Sequence, residues 1–119
     1  MIVRSDVTAY GGPGDDVLST PRGGTRGSLS GGPGDDVITG GAFADGLMGD
    51  AGSDRIVGGG GSDKITGGSG SDRIFGGAGR DFIKVRDDAR DTVECGTGRD
   101  RVSANRRDRV TGCERISGR

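Results

Sequence analysis

The chain has no histidine and no tryptophan, one tyrosine and three phenylalanines. Missing histidine removes the usual general base and the commonest zinc or copper ligand. Scarce aromatics, with only 29% hydrophobic residues, exclude an ordinary core of large side chains. No apolar run reaches the ~18 residues that a membrane helix needs. The opening residues carry no charged-then-apolar run of the secretion-signal kind. No nucleophile elbow occurs; the two cysteines are too few for a four-ligand zinc site and too far apart in sequence for a CxxC redox pair. Enzyme chemistry is therefore not expected.

What is abundant is glycine, 28 of 119 residues, roughly four times the usual ~7%. By composition alone such a chain reads as disordered. The 17 basic and 18 acidic residues leave a net charge of -1. Residues 1–79 hold 10 acids and 6 bases, and residues 80–119 hold 8 acids and 11 bases. The basic tail alternates in sign, as in Arg99-Asp100-Arg101 and Arg107-Asp108-Arg109. Alternation of this kind predicts a solvated, paired surface and no nucleic-acid partner.

Disorder has no phase, yet this sequence does. From residue 31 it divides into six consecutive nonads: GGPGDDVIT, GGAFADGLM, GDAGSDRIV, GGGGSDKIT, GGSGSDRIF and GGAGRDFIK. The sixth position is Asp36, Asp45, Asp54, Asp63, Asp72 and Asp81. The eighth is Ile38, Leu47, Ile56, Ile65, Ile74 and Ile83. GGPGDDVLS at 11–19 is a further unit, with Asp16 and Leu18 in the two columns. Residues 22–30 keep Leu29 but place Gly27 where Asp belongs, and Thr20-Pro21 read as an insertion on a turn. One extra residue follows 84. RDDARDTVE (86–94) then keeps Asp91 and Val93 without glycines, and CGTGRDRVS (95–103) restores Asp100 and Val102.

Each nonad predicts a turn followed by a short strand. Positions one to six are rich in glycine, which permits positive φ and close backbone approach. Positions seven to nine alternate out, in, out, so the eighth side chain points to a core. Strands of about three residues cannot stand alone; stacked in a solenoid, each buries its face against its neighbours. Two nonads close one coil, so nonads n and n+2 lie about 4.8 Å apart on the same side. Their sixth-position carboxylates then stack and repel. A hard divalent cation with 6–8 oxygen ligands relieves that repulsion, and calcium fits better than the tighter magnesium octahedron. Aspartates that merely cap turns are the alternative.

These units resemble GGxGxDxUx, the calcium-binding nonapeptide of the repeats-in-toxin (RTX) proteins. The resemblance covers 11–19 and 31–84 closely and 86–111 loosely. It implies an all-β, right-handed parallel β-roll (a β-solenoid) with calcium between successive turns on each edge. It also implies an extracellular, monomeric, calcium-folded module. The ligands it implies are Asp16, Asp36, Asp45, Asp54, Asp63, Asp72, Asp81 and Asp100. Turn glycines supply carbonyls: Gly11, Gly12 and Gly14; Gly31, Gly32 and Gly34; Gly49 and Gly52; Gly58, Gly59 and Gly61; Gly67, Gly68 and Gly70; Gly76, Gly77 and Gly79. Pairing successive carboxylates on each edge gives about five or six ions. Gly27 and Phe43 should disturb their own turns, Asp91 is a weak ligand candidate, and Asp15 and Asp35 are surface acids. Phe75 and Phe82 face outward, as scattered apolar residues do on many proteins.

Three segments follow: a leading segment at 1–10, the calcium-binding roll at 11–84, and degenerate repeats with a cap at 85–119. Cys95 and Cys113 are 18 residues apart, one full coil. That spacing predicts a disulfide closing the last coil, with two free thiols as the alternative. A disulfide fits an oxidising setting outside the cell. Other functions remain to be weighed against the calcium module. A surface-binding roll, such as an adhesin or an ice-binding face, would want regular Thr columns, and position nine has only Thr39 and Thr66 within scattered units. The chain could also be the calcium-binding fragment of a larger secreted enzyme or toxin.

Overall fold

The computed structural model describes residues 7–19, 27–42, 46–85 and 89–118. Every regular element among them is a short β-strand. In chain order these are β1 (Val7–Tyr10), β2 (Val17–Ser19), β3 (Gly27–Ser30), β4 (Val37–Thr39), β5 (Gly46–Met48), β6 (Arg55–Val57) and β7 (Lys64–Thr66). They continue as β8 (Arg73–Phe75), β9 (Phe82–Lys84), β10 (Thr92–Glu94), β11 (Arg101–Ser103), β12 (Arg109–Thr111) and β13 (Arg115–Ser117). In the regular units the strands fall on positions seven to nine, as the periodicity requires.

The strands alternate between two sheets. Odd-numbered strands make a seven-stranded sheet in the order β1-β3-β5-β7-β9-β11-β13, and even-numbered strands make a six-stranded sheet, β2 to β12. All pairings are parallel, as in Arg55↔Arg73 and Ile56↔Ile74 on β6 and β8. This is the β-solenoid expected from two nonads per coil.

The eighth-position column is the core. Leu29, Ile38, Leu47, Ile56, Ile65, Ile74, Ile83, Val93 and Val102 are all buried, with Leu18 and Val110 half-buried at the ends. Outward neighbours at position seven, such as Arg55, Lys64 and Arg73, are exposed. Each half-coil thus adds one branched aliphatic side chain to a narrow seam, and low apolar content suffices.

Register survives the irregular units. Val17 pairs with Val37 across 20 residues, Arg73 with Thr92 across 19, and Arg101 with Arg115 across 14. Insertions and deletions are absorbed by the turns, because a one-residue slip would turn every core residue outward. β1 joins the seven-stranded sheet through Val7↔Gly27, so the leading segment contributes a strand. Thr20, Pro21, Phe43 and Asp45 lie outside the described residues, and so do the expectations that rest on them.

Beyond residue 84 the core widens. Val85, Cys95 and Ala104 are buried alongside the eighth-position residues. Their N–H groups continue the ladder that first-position glycines make in earlier coils: Gly67 to Lys84 O, Val85 to Ser103 O, and Ala104 to Ser117 O. Cys95 and Cys113 form a disulfide with a Cα–Cα separation of 5.1 Å, matching the one-coil spacing.

Candidate metal centre

The sixth-position aspartates form two ladders along the edges of the solenoid. On one edge the N–H of Asp16 donates to Oδ1 of Asp36 at 2.7 Å, Asp36 to Asp54 at 2.8 Å and Asp54 to Asp72 at 2.8 Å. The ladder continues from Asp72 to Asp91 at 2.6 Å and from Asp91 to Asp108 at 2.8 Å. On the other edge Asp63 donates to Asp81 at 3.0 Å and Asp81 to Asp100 at 2.8 Å. One carboxylate oxygen of each residue thus caps the turn of the coil before it, which is the capping role foreseen as an alternative.

At Asp108 the second oxygen also accepts an N–H, that of Asn105 at 2.7 Å; the other ladder bonds use Oδ1. The second oxygen, Oδ2, of Asp16, Asp36, Asp54, Asp81 and Asp100 is shut off from solvent and accepts no hydrogen bond. Those of Asp63, Asp72 and Asp91 lie equally deep. Leaving an acceptor on a buried ionised carboxylate unmatched costs a few kcal/mol. Burial pushes the Asp54 carboxyl up to about 6, helped by the charges of Asp36, Asp35 and Asp50 and opposed by the hydrogen bond from Asp36. Burial likewise raises Asp81 to about 6, against the backbone hydrogen bond from Asp63.

The orphaned oxygens border clefts left by first-position glycines. A Cβ on Gly11 would stand 2.7 Å from Asp16 Oδ2 and 2.6 Å from the carbonyl oxygen of Gly31, one coil on. At Gly49 the two oxygens are Asp54 Oδ2 and Gly67 O, at 2.5 and 2.6 Å. Gly58 has Asp63 Oδ2 and Gly76 O at 2.8 and 2.6 Å, and Gly76 has Asp81 Oδ2 and Cys95 O at 2.8 and 2.6 Å. Gly31 and Gly67 border Asp36 Oδ2 and Asp72 Oδ2, but their other nearest neighbours are side-chain carbons and not a carbonyl oxygen. At Gly11, Gly49, Gly58 and Gly76 a carboxylate oxygen and a carbonyl oxygen of the next coil therefore face one small space.

The remaining turn glycines are a matter of conformation. Gly12, Gly14, Gly32, Gly34, Gly52, Gly59, Gly61, Gly68, Gly70, Gly77 and Gly79 all have positive φ. At Gly32, φ is 83°, and an added Cβ would meet the carbonyl oxygen of Gly12 at 2.8 Å. Asp50 stands where such a glycine belongs, with φ 67°. Its Oδ2 accepts the N–H of Gly32 at 3.0 Å and the hydroxyl of Ser30, which fastens two coils together. Sequence periodicity gave no sign of this role.

Among the described residues no three Asp, Glu or Cys side chains gather at one point. A cation held here would be bound by carboxylates together with backbone carbonyls, an all-oxygen set that suits a hard divalent ion and not zinc. The oxygen-lined clefts fit calcium on that ground. Asp15 and Asp35 are exposed, as expected, and each accepts an N–H from the next coil at 2.8 Å, from Asp35 and Ser53 respectively. Asp91 and Asp108 are buried in the ladder, so the glycine-free unit keeps its aspartate column.

The family model for the RTX calcium-binding nonapeptide repeat matches residues 4–20, 28–47 and 48–83, in four copies. Those segments cover more than half of the chain. The protein belongs to the RTX calcium-binding repeat family. Repeats of this family bind calcium in a β-roll, and the two-sheet solenoid of this RTX protein is such a roll. No curated protein and no solved structure matches the chain.

Proposed function

We propose that this RTX chain is a structural module that folds when calcium enters its turns, in an extracellular setting, and that it is not itself an enzyme. The observation that carries the reading is the buried Oδ2 atoms of Asp16, Asp36, Asp54 and Asp81, which accept no hydrogen bond and each border a first-position glycine. Without a counter-charge the two carboxylate ladders oppose folding.

Asp16, Asp36, Asp54 and Asp72 would serve one edge, and Asp63 and Asp81 the other. Gly11, Gly31, Gly49, Gly58, Gly67 and Gly76 keep the clefts open, which gives about six ions by the ligand count. Asp100 differs: Cys95 brings a Cβ to the first position of its unit, so Asp100 serves mainly as the next-coil cap of Asp81. Asp45 would belong to the second edge. Calcium, when bound, supplies the positive charge that lets stacked ionised carboxylates coexist. The aspartates then hold adjacent coils together through both oxygens, and binding free energy becomes folding free energy. The disulfide fits an oxidising compartment, where calcium is also plentiful.

Isothermal calorimetry with circular dichroism tests this. Five or six calcium ions should bind, coil should dominate in chelator, and millimolar calcium should restore the β signal. A full β signal in chelator, or a stoichiometry of one or none, overturns the reading.

A further inference from the structure

Four arginines line one groove at the C-terminal half of the seven-stranded sheet. Arg80 and Arg99 are fifth-position residues of turns in adjacent coils. Arg101 and Arg115 are register partners on β11 and β13. Phe82, the register partner of Arg101 on β9, stands beside them and is 39% exposed. With Glu114 they border an open hollow of about 750 Å³. That is the size range of small-ligand sites, roughly 300–1,000 Å³.

The groove is more cationic than its sequence reads. Arg99-Asp100-Arg101 alternates in sign, but Asp100 is 1% exposed and turned to the aspartate ladder. Asp81, beside Arg80, is buried in the same way. The fold thus separates the acids from the arginines and leaves four guanidinium groups facing solvent against Glu114 alone. Among the described residues none of the four arginines forms an ion pair. Guanidinium groups carried by neighbouring coils, whose backbones lie about 4.8 Å apart, repel one another until an anion bridges them.

The shape of that anion follows from the donors. Each guanidinium offers a planar fork of N–H groups. A planar carboxylate fills one fork. A tetrahedral oxyanion directs its oxygens apart and can be held by forks from two coils at once. The wall beside the arginines is a half-exposed phenyl ring, and a second hollow of about 520 Å³ continues past Phe82 and Arg101 to the Ser103 hydroxyl. An apolar face next to a hydroxyl suits the C–H face and hydroxyls of a sugar ring.

We propose that this groove binds a phosphate or sulfate ester carried on a sugar, the oxyanion between the arginines and the ring against Phe82. The full chain, calcium-loaded and disulfide-intact, is titrated with glucose 6-phosphate, glucose and inorganic sulfate. Glucose 6-phosphate should bind, with weakening by salt. Inorganic sulfate should compete but bind at least several-fold more weakly, and glucose should not bind. The double variant Arg99→Gln/Arg115→Gln should lose at least tenfold in affinity, while Glu114→Gln should gain. Circular dichroism in the same buffer separates loss of the groove from loss of the fold. Absence of glucose 6-phosphate binding by the folded wild-type chain overturns the site, as does binding unchanged in the double variant. Sulfate binding as tightly as the sugar ester overturns the sugar assignment. A single-stranded oligonucleotide binding at least tenfold more tightly than glucose 6-phosphate would replace the sugar ester by a nucleic acid.

Discussion

Replacing Asp54 and Asp81 together by Asn should stabilise the calcium-free roll and weaken the calcium-bound one. Both carboxyls rise from an ordinary 3.8 to about 6, with burial as the largest cause. By the usual conversion each rise is worth on the order of 3 kcal/mol at pH 7, a sizeable share of the ~5–15 kcal/mol stability of a small domain. The sign follows from linkage. Between pH 3.8 and 6 the folded state holds protons that the unfolded chain has released, so stability falls as pH rises through that window. The contribution is fully present below 3.8 and gone above about 6. Asn keeps the Oδ1 acceptor used by the N–H groups of Asp36 and Asp63 while removing the buried charge. In chelator at pH 7 the double variant should therefore show more β signal by circular dichroism, and a higher urea midpoint, than the wild type. The wild type should approach it on acidification to pH 4. In calcium the order reverses, with the variant binding fewer ions and needing more calcium to fold. A variant as unfolded as the wild type in chelator, with unchanged calcium stoichiometry, would refute the electrostatic argument.

Opening the disulfide, by reduction or by Cys95→Ser/Cys113→Ser, releases a loop of 18 residues and should cost on the order of 3 kcal/mol, read as a shift in the calcium midpoint of folding. Gly70→Ala imposes a side chain at φ 98° against the backbone of Gly52 and should destabilise by at least ~2 kcal/mol. Gly60→Ala, without a positive φ and with its nearest neighbour at 3.4 Å, should stay within ~0.5 kcal/mol in the same urea titration. Ile65→Ala empties a fully buried core position and should cost ~2–5 kcal/mol in thermal unfolding with calcium present.

The core and the aspartate ladders were legible because both are strict columns at period nine, and periodicity survives whatever the turns do. Ile56, Ile65 and Ile74 had no alternative address once strands were placed at positions seven to nine. The fate of the irregular units was less legible. Asp91 sits in a segment without turn glycines, and only the sheet register of Thr92 with Arg73 reveals that its carboxylate reaches the ladder. Asp50 breaks the glycine pattern, and its tie to Gly32 and Ser30 depends on an 18-residue stacking distance invisible to local reading. The alternating charges of 99–101 suggested mutual pairing. Opposite-facing neighbours along an extended chain cannot pair with each other, so the buried acid and the exposed arginines act on different surfaces.

One substitution pattern separates the two halves of the solenoid. In the regular units the first position is glycine, and its missing Cβ leaves a carboxylate oxygen, joined at Gly11, Gly49, Gly58 and Gly76 by a carbonyl oxygen, facing an open cleft. In the later units Val85, Cys95 and Ala104 take that position and are buried in the core. The apolar seam becomes two side chains wide where the turns become irregular, and the disulfide fastens its last coil to the one before. Cohesion between coils therefore changes its source along the axis. Carbon contacts and a covalent bond are added after residue 84, where the Oδ2 of Asp100 is also unmatched, whereas the earlier coils have only a single aliphatic seam to offset their buried carboxylates. Chelation should thus unfold residues 11–84 more readily than 89–118. Amide hydrogen exchange in chelator can read this directly: slow exchange should persist at Val93, Cys95 and Val102 after it is lost at Ile38, Ile56 and Ile74. Uniform protection along both halves would show that the buried carboxylates do not set the stability difference.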